Sequence, residues 1–180
     1  MYSVDVGELS RHHNMPHSDP NANIHSMDEF VAMDRSVEAL IVDSNTCNDP
    51  SITHLDVSSF KGLRVFKVGD YSFPHVGEVK LVELEKLERV VIGVNCFSKE
   101  HSVGHFSLKN CRQVKELKMG RYSFRGYSTC EIEDDDSLEV IEMGELNEES
   151  SNSYWGDSTL KSSNFYRGDC VIRSYCDAVK

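Results

Sequence analysis

Leu87-Glu88-Arg89-Val90-Val91-Ile92-Gly93-Val94-Asn95-Cys96-Phe97 is the stretch whose reading decides the fold. Its apolar side chains at 87, 90 and 92 precede a glycine, and the spacing returns along the chain. It recurs as Leu63-x-x-Phe66-x-Val68-Gly69, Val114-x-x-Leu117-x-Met119-Gly120 and Leu138-x-x-Ile141-x-Met143-Gly144. A weaker first copy is Val37-x-x-Leu40-x-Val42-Asp43. Successive copies are 26, 24, 27 and 24 residues apart, counted from 43 to 69, 93, 120 and 144. A recurring period of that size is the mark of a solenoid, in which each repeat buries its apolar side against the next.

Each copy carries more than one signal. An aromatic follows the glycine in Tyr71-Ser72-Phe73, Asn95-Cys96-Phe97 and Tyr122-Ser123-Phe124. A second alternating pair comes next: Leu55-x-Val57, Val79-x-Leu81, Phe106-x-Leu108 and Cys130-x-Ile132. From the end of that pair to the next glycine position is always 12 residues, whereas the other half of the repeat takes 14, 12, 15 and 12. One half of each coil is therefore fixed in length and the other tolerates insertion. Alternation of apolar with polar residues predicts strands with one face inward. The expected fold is a β-rich solenoid, a right-handed stack of about five coils with two short parallel strands each and little helix. The glycine is expected where the chain leaves the strand through a conformation other residues resist.

Charge tests this register. Residues equivalent in neighbouring coils stack at about 4.8 Å, so like charges in one column repel. The column Glu38, Arg64, Glu88, Lys115, Glu139 alternates in sign at every step, and Arg35, Lys61, Glu85, Arg112, Asp136 does so from Lys61 onward. The basic run 109–125 and the acidic run 131–149 then lie on adjacent coils. Arg112 is expected to meet Asp136, Lys115 Glu139, Lys118 Glu142 and Arg121 Glu145, a surface that holds coils together.

The solenoid is expected over 36–165. Residues 1–35 are polar and read as a largely disordered tail, in which Ser26-Met27-Asp28-Glu29 fits a capping box for a short helix over the first coil. Beyond Glu145 the pattern decays. Leu160 marks a possible second strand of the fifth coil, and 166–180 reads as an irregular end with Cys170-Val171-Ile172 as a possible strand.

The formal net charge of −11 argues against general binding to nucleic acid or anionic membranes. No apolar run approaches the ~18 residues of a membrane span. The absence of a signal segment and of an Asn-x-Ser/Thr sequon favours the cytoplasm. Six irregularly spaced cysteines form no zinc pattern and read as free core residues, with Cys96 and Cys130 on core positions. The histidines His12, His13, His17 and His25 lack a completing ligand set, and Arg167-Gly168-Asp169 stands without a secretion signal. No nucleophile elbow, phosphate loop or dinucleotide fingerprint is present. No catalytic residue, metal site or cofactor is expected.

The strings Leu87-x-x-Val90-x-Ile92-x-x-Asn95-x-Phe97 and Leu63-x-x-Phe66-x-Val68-x-x-Tyr71-x-Phe73 resemble the conserved half of the leucine-rich repeat. The Ser-Phe after the glycine and the second strand in place of a helix look most like the irregular BspA-like repeats of bacteria and protists. Asn95 alone fills the usual asparagine site, with Tyr71, Tyr122 and Leu146 elsewhere. Stacked aromatics at Tyr71, Phe73, Phe97, Tyr122 and Phe124 are expected to replace the asparagine ladder. The resemblance implies a protein-binding scaffold, with some members resembling surface adhesins. The candidate partner face carries Lys67, Val91, Lys118 and Glu142, flanked by Val65, Arg89, Glu116 and Val140. A structural segment of a longer array is the alternative reading.

Overall fold

Side chains two apart point to the same side of a strand, and in the computed structural model every repeated apolar pair turns inward. The structure describes residues 21–99, 103–144, 164–165 and 169–173. One parallel sheet has six strands in the order β1 (Asn21–Ile24), β2 (Ala39–Val42), β4 (Val65–Val68), β6 (Arg89–Ile92), β8 (Glu116–Met119) and β10 (Val140–Met143). The other has five, β3 (His54–Asp56), β5 (Glu78–Val82), β7 (Gly104–Lys109), β9 (Tyr127–Glu133) and β11 (Asp169–Arg173). The chain alternates between sheets from β2 onward, making a parallel β-solenoid. The six-residue α1 (Met27–Ala32) is the single helix among the described residues.

The registers match the sequence repeat. Phe66 pairs with Leu40 and Val90, and Val68 with Val42 and Ile92. Leu81 pairs with Leu108, which pairs in turn with Ile132. Leu63, Leu87, Val114 and Leu138 form a further fully buried column at the entrance to the first sheet. Phe73, Phe97, Phe124 and Phe165 form another, with ring centroids 5.3, 4.9 and 5.3 Å apart and planes within 4, 10 and 4° of parallel. Tyr71 and Tyr122 stand outside this ladder, 55 and 44% exposed, so the aromatic replacement is made by phenylalanines alone.

Beside the rings runs a ladder of small donors. Ser72 Oγ donates to Asp43 O at 2.9 Å, Cys96 Sγ to Gly69 O at 3.0 Å, Ser123 Oγ to Gly93 O at 2.6 Å and Asn164 Nδ2 to Gly120 O at 2.9 Å. Ser72 and Ser123 also accept the N–H of Thr46 and Cys96 from the preceding coil. A hydroxyl, thiol or amide one residue before each phenylalanine thus bonds a carbonyl of the preceding coil, beside the stacked rings that were expected to replace the asparagine ladder.

Three of the four repeat glycines sit here for a different reason than expected, while Gly144, with a φ of 64°, meets the expectation. Gly69, Gly93 and Gly120 have no left-handed φ; a Cβ at Gly120 would lie 2.5 Å from Gly93 C and 2.6 Å from its O. They permit close approach of backbones. The left-handed conformations fall instead on Asn45, Tyr71, Asn95 and Tyr122, with φ of 60, 58, 55 and 64°, and on Cys47, Phe73, Phe97 and Phe124. That geometry aims N–H groups along the stack. Tyr71 N donates forward to Val94 O at 2.8 Å, and Phe97 N donates back to Ser72 O at 3.2 Å. Interstrand bonding at the corners compensates a conformational cost of about 1 kcal/mol or more per residue.

At the first coil, Ser26 caps α1 by accepting Glu29 N at 3.3 Å, while the Glu29 carboxylate accepts His25 N at 2.7 Å. Phe30 packs on Phe60 with centroids 5.5 Å apart. The Arg35 guanidinium lies 4.4 Å from the Phe60 ring centroid and donates to Phe30 O and Val31 O. β1 and α1 fall within the stretch read as largely disordered, and residues 1–20 lie outside the described residues.

At the other end Asn164-Phe165 resumes the ladder, and β11 pairs with β9. Leu160 lies outside the described residues, while Cys170-Val171-Ile172 is indeed strand. Cys170 pairs in register with Cys130, and their sulfurs are joined in a disulfide. The reading of Cys130 as a free core thiol is corrected: its pairing depends on a register that crosses the irregular part of the chain. Cys47, Cys96 and Cys111 are buried free thiols.

Candidate functional site

Because strand residues alternate in direction, the remaining positions of β4, β6, β8 and β10 form an outward face. All eight sequence-predicted residues lie on it in two columns. One runs Val65, Arg89, Glu116, Val140 and the other Lys67, Val91, Lys118, Glu142. Lys67, Arg89, Val140 and Glu142 are exposed, and the other four are half-buried by their neighbours.

The columns divide into unlike halves. Glu116 accepts from Arg89 Nε at 2.6 Å and from Lys118 Nζ at 2.7 Å, and Lys118 also reaches Glu142 at 3.4 Å. Hydrogen bonding from Lys118, with Arg89 beside it, holds Glu116 below the usual carboxylate range. Glu116 in turn holds Lys118 above its ordinary value. This half is an ion-pair network closed on itself. The other half is apolar: Val65 pairs with Ala39 of β2, and Lys67 lies between Ile41 of β2 and Val91 of β6. Lys67 makes no ion pair among the described residues. Ile41 was missed in the sequence, although it occupies the Lys67 position of the weak first copy.

Other expected charge pairs form selectively. Arg64 Nη2 contacts Glu88 at 2.7 Å and Arg64 Nη1 contacts Glu38 at 3.8 Å, closing the alternating column at its start. Of the pairs expected between the basic and acidic runs, Lys118–Glu142 closes. Arg112–Asp136 and Lys115–Glu139 form no ion pair among the described residues, and Glu145 lies outside them. Lys109 links the two runs instead, reaching Glu131 at 2.7 Å and Glu133 at 3.3 Å on the second sheet. Lys61 turns to Glu83 at 3.9 Å rather than Glu85, and Arg35 serves α1. The second column of alternating sign is therefore not an ion-pair ladder.

Two surface depressions flank the coils. One of about 820 Å³ is lined by Lys61, Glu83, Glu85, Asn110, Arg112 and Gln113. The other, of about 430 Å³, opens beside Lys118 and Glu142 over Ile92 and Met119. Charges of both signs line each, so neither presents a single-sign field to an ion. Among the described residues no cluster of three His, Cys, Asp or Glu side chains is placed to hold a metal. Of the four histidines noted near the start, His25 contacts Asp43 at 2.7 Å, and the others lie outside the described residues. Arg167 and Gly168 also lie outside them.

One buried acid lies away from this face. Asp135 occupies the corner column of Phe60, Leu84 and Cys111, where its Oδ1 accepts Cys111 N at 2.7 Å. Burial pushes its carboxyl up from 3.8 to about 7, against the stabilising Cys111 N–H and with help from flanking Asp134 and Asp136. A raised folded-state value means the native protein holds the proton more tightly. Its stabilising contribution is complete below pH 3.8 and is lost as pH rises to about 7. Asp135→Asn keeps the acceptor without the charge. The wild type should lose roughly 2–3 kcal/mol between pH 5 and 8 that the variant retains, read by urea unfolding at both pH values.

No helix among the described residues is long and apolar enough to cross a membrane. Comparison with protein-family models, with curated proteins and with solved structures finds no match to this chain.

Proposed function

We propose that the chain is a non-catalytic protein-interaction module that binds its partner on the outer face of the six-stranded sheet. The observation that carries this reading is the division of that face. The charges of Arg89, Glu116, Lys118 and Glu142 satisfy one another, while Ile41, Val65 and Val91 surround a Lys67 that no described side chain pairs. An apolar centre beside a polar rim is the composition of an interface core. The cation favours a partner segment that brings a carboxylate among apolar side chains. The resemblance to irregular leucine-rich repeats supports the same class of activity.

Val91→Glu tests it. The side chain is half-buried on the outer face, so the substitution should leave the unfolding transition within about 0.5 kcal/mol of wild type. Partner capture should fall at least about tenfold, since a carboxylate then occupies the centre of the contact. Unchanged capture profiles from the two proteins would remove this face from consideration.

A second reading, an element of a longer array or of an adhesin-like assembly, has its own observation. Inward residues of the last coil are less covered than their equivalents: Ile172 is 44% exposed where Ile132 is fully buried. Concentration-dependent self-association in sedimentation experiments would favour it over the face-binding reading.

A further inference from the structure

We propose that the Cys130–Cys170 bond is a thiol-reducible latch that holds β11 on the stack, and that opening it turns β9 into a free sheet edge. Among the described residues β11 has one strand neighbour, β9, whereas β5, β7 and β9 each have two. Its side chains contribute little burial, with Val171 37% and Ile172 44% exposed. Apart from the strand pairing, its described attachments are the disulfide, an ion pair from Arg173 to Glu133 and the bond from Asp134 N to Arg173 O. The ion pair is on the surface, where such contacts contribute little. The covalent bond is therefore the attachment that decides whether β11 stays.

The position of the sulfurs suits reduction from one side. Leu55, Val79, Phe106, Cys130 and Cys170 form one inward column, in which Cys130 is fully buried and Cys170 is half-buried at the end. A reductant meets Cys170 first. The other described cysteines do not compete: Cys47 is buried, and burial pushes the Cys96 and Cys111 thiols up to about 11 and about 12, so they stay protonated at neutral pH.

The co-reactant is a dithiol. Its thiolate attacks Cys170 Sγ, forming a mixed disulfide and expelling Cys130 as a thiolate that takes up a proton. The second thiolate of the reductant then attacks its own sulfur in the mixed disulfide, expelling Cys170, which is protonated in turn. Two electrons and two protons pass from the dithiol to the cysteine pair, and the reductant leaves as a cyclic disulfide. β11 then separates, and the five residues Thr129–Glu133 of β9 that it covered become an unpaired edge of the kind that accepts an added strand.

Hydrogen–deuterium exchange on the full chain, first treated with oxidised glutathione and then with or without dithiothreitol, tests the latch. Reduction should speed exchange at residues 169–173 by at least about tenfold while β4 and β6 stay unchanged. Cys170→Ser, a substitution at the partly exposed end of the column, should exchange like the reduced protein under both conditions. Cys47→Ser should respond like wild type. Unchanged exchange at 169–173 on reduction would overturn the proposal. So would equal acceleration in β4 and β6, or free thiols at Cys130 and Cys170 by alkylation mapping after the oxidising treatment.

Discussion

Ile92→Asp is expected to unfold several coils together rather than loosen one strand. Ile92 is 2% exposed and lies in register between Val68 and Met119, so an aspartate there has no polar neighbour in its column. A buried carboxylate without a partner costs several kcal/mol, and losing the isoleucine packing adds roughly 2–4 kcal/mol. Together these approach the whole stability of a domain this size, typically ~5–15 kcal/mol. Most contacts are between neighbouring coils, and the Tyr127 hydroxyl donates to Val76 O at 2.8 Å two coils away, so the failure spreads from one interface to the next. Circular dichroism should show strand signal lost well beyond one coil. Exchange raised only at Arg89–Ile92 would mean that the coils are weakly coupled.

Gly120→Ala should be nearly as severe although it adds a single methyl group. The new Cβ would stand 2.5 Å from Gly93 C and 2.6 Å from both Gly93 O and Val94 N. All three are backbone atoms, so no rotamer change relieves the overlap. The corners of two coils must separate, and with them the bond from Gly120 N to Ile92 O. A loss of about 3 kcal/mol or more is expected in chemical denaturation, above the usual range for an added methylene because the neighbour is main chain. Gly144→Ala carries strain of a different kind, since that glycine has a φ of 64°.

The parts of this fold that were legible in the sequence are those in which one coil copies another. Val68, Ile92 and Met119 repeat in type and spacing because each meets the same surroundings, and the register follows from that repetition. The features that escaped are those made once. β1 reads Asn-Ala-Asn-Ile, with Ile24 as its one fully buried residue, because an edge strand at the start of a stack needs little apolar surface. β11 was read as a possible strand at Cys170-Val171-Ile172, but it follows a break of 20 residues from Gly144 to Asn164 where earlier coils take 3, from Gly69 to Ser72, so no period fixed its register. The disulfide escaped with it. The resumed pair Asn164-Phe165, matching Ser123-Phe124, was the signal that would have placed both.

The candidate face was legible as alternation but not as chemistry. Eight outward positions follow from the strand period; their division does not. Glu116 could have served Arg89 or Lys118, and it serves both because one lies across the strand pair and the other two residues along the same strand. Ile41 stayed hidden because the first copy of the repeat has aspartate at the glycine position. The role of Gly69, Gly93 and Gly120 was misassigned for a related reason: period shows that a side chain is excluded, not whether torsion or proximity excludes it.

The corner bonds have a mechanical consequence. Tyr71 N reaches forward to the next coil and Phe97 N back to the previous one, so these bonds lie along the long axis of the stack. Tension applied between the first and last coils loads all bonds of one interface at once, and successive interfaces act as links in series. The weakest link sets the force at which the chain parts. Between the last two described coils one of those links is covalent, so in the oxidised protein rupture is displaced inward, toward interfaces without a covalent link.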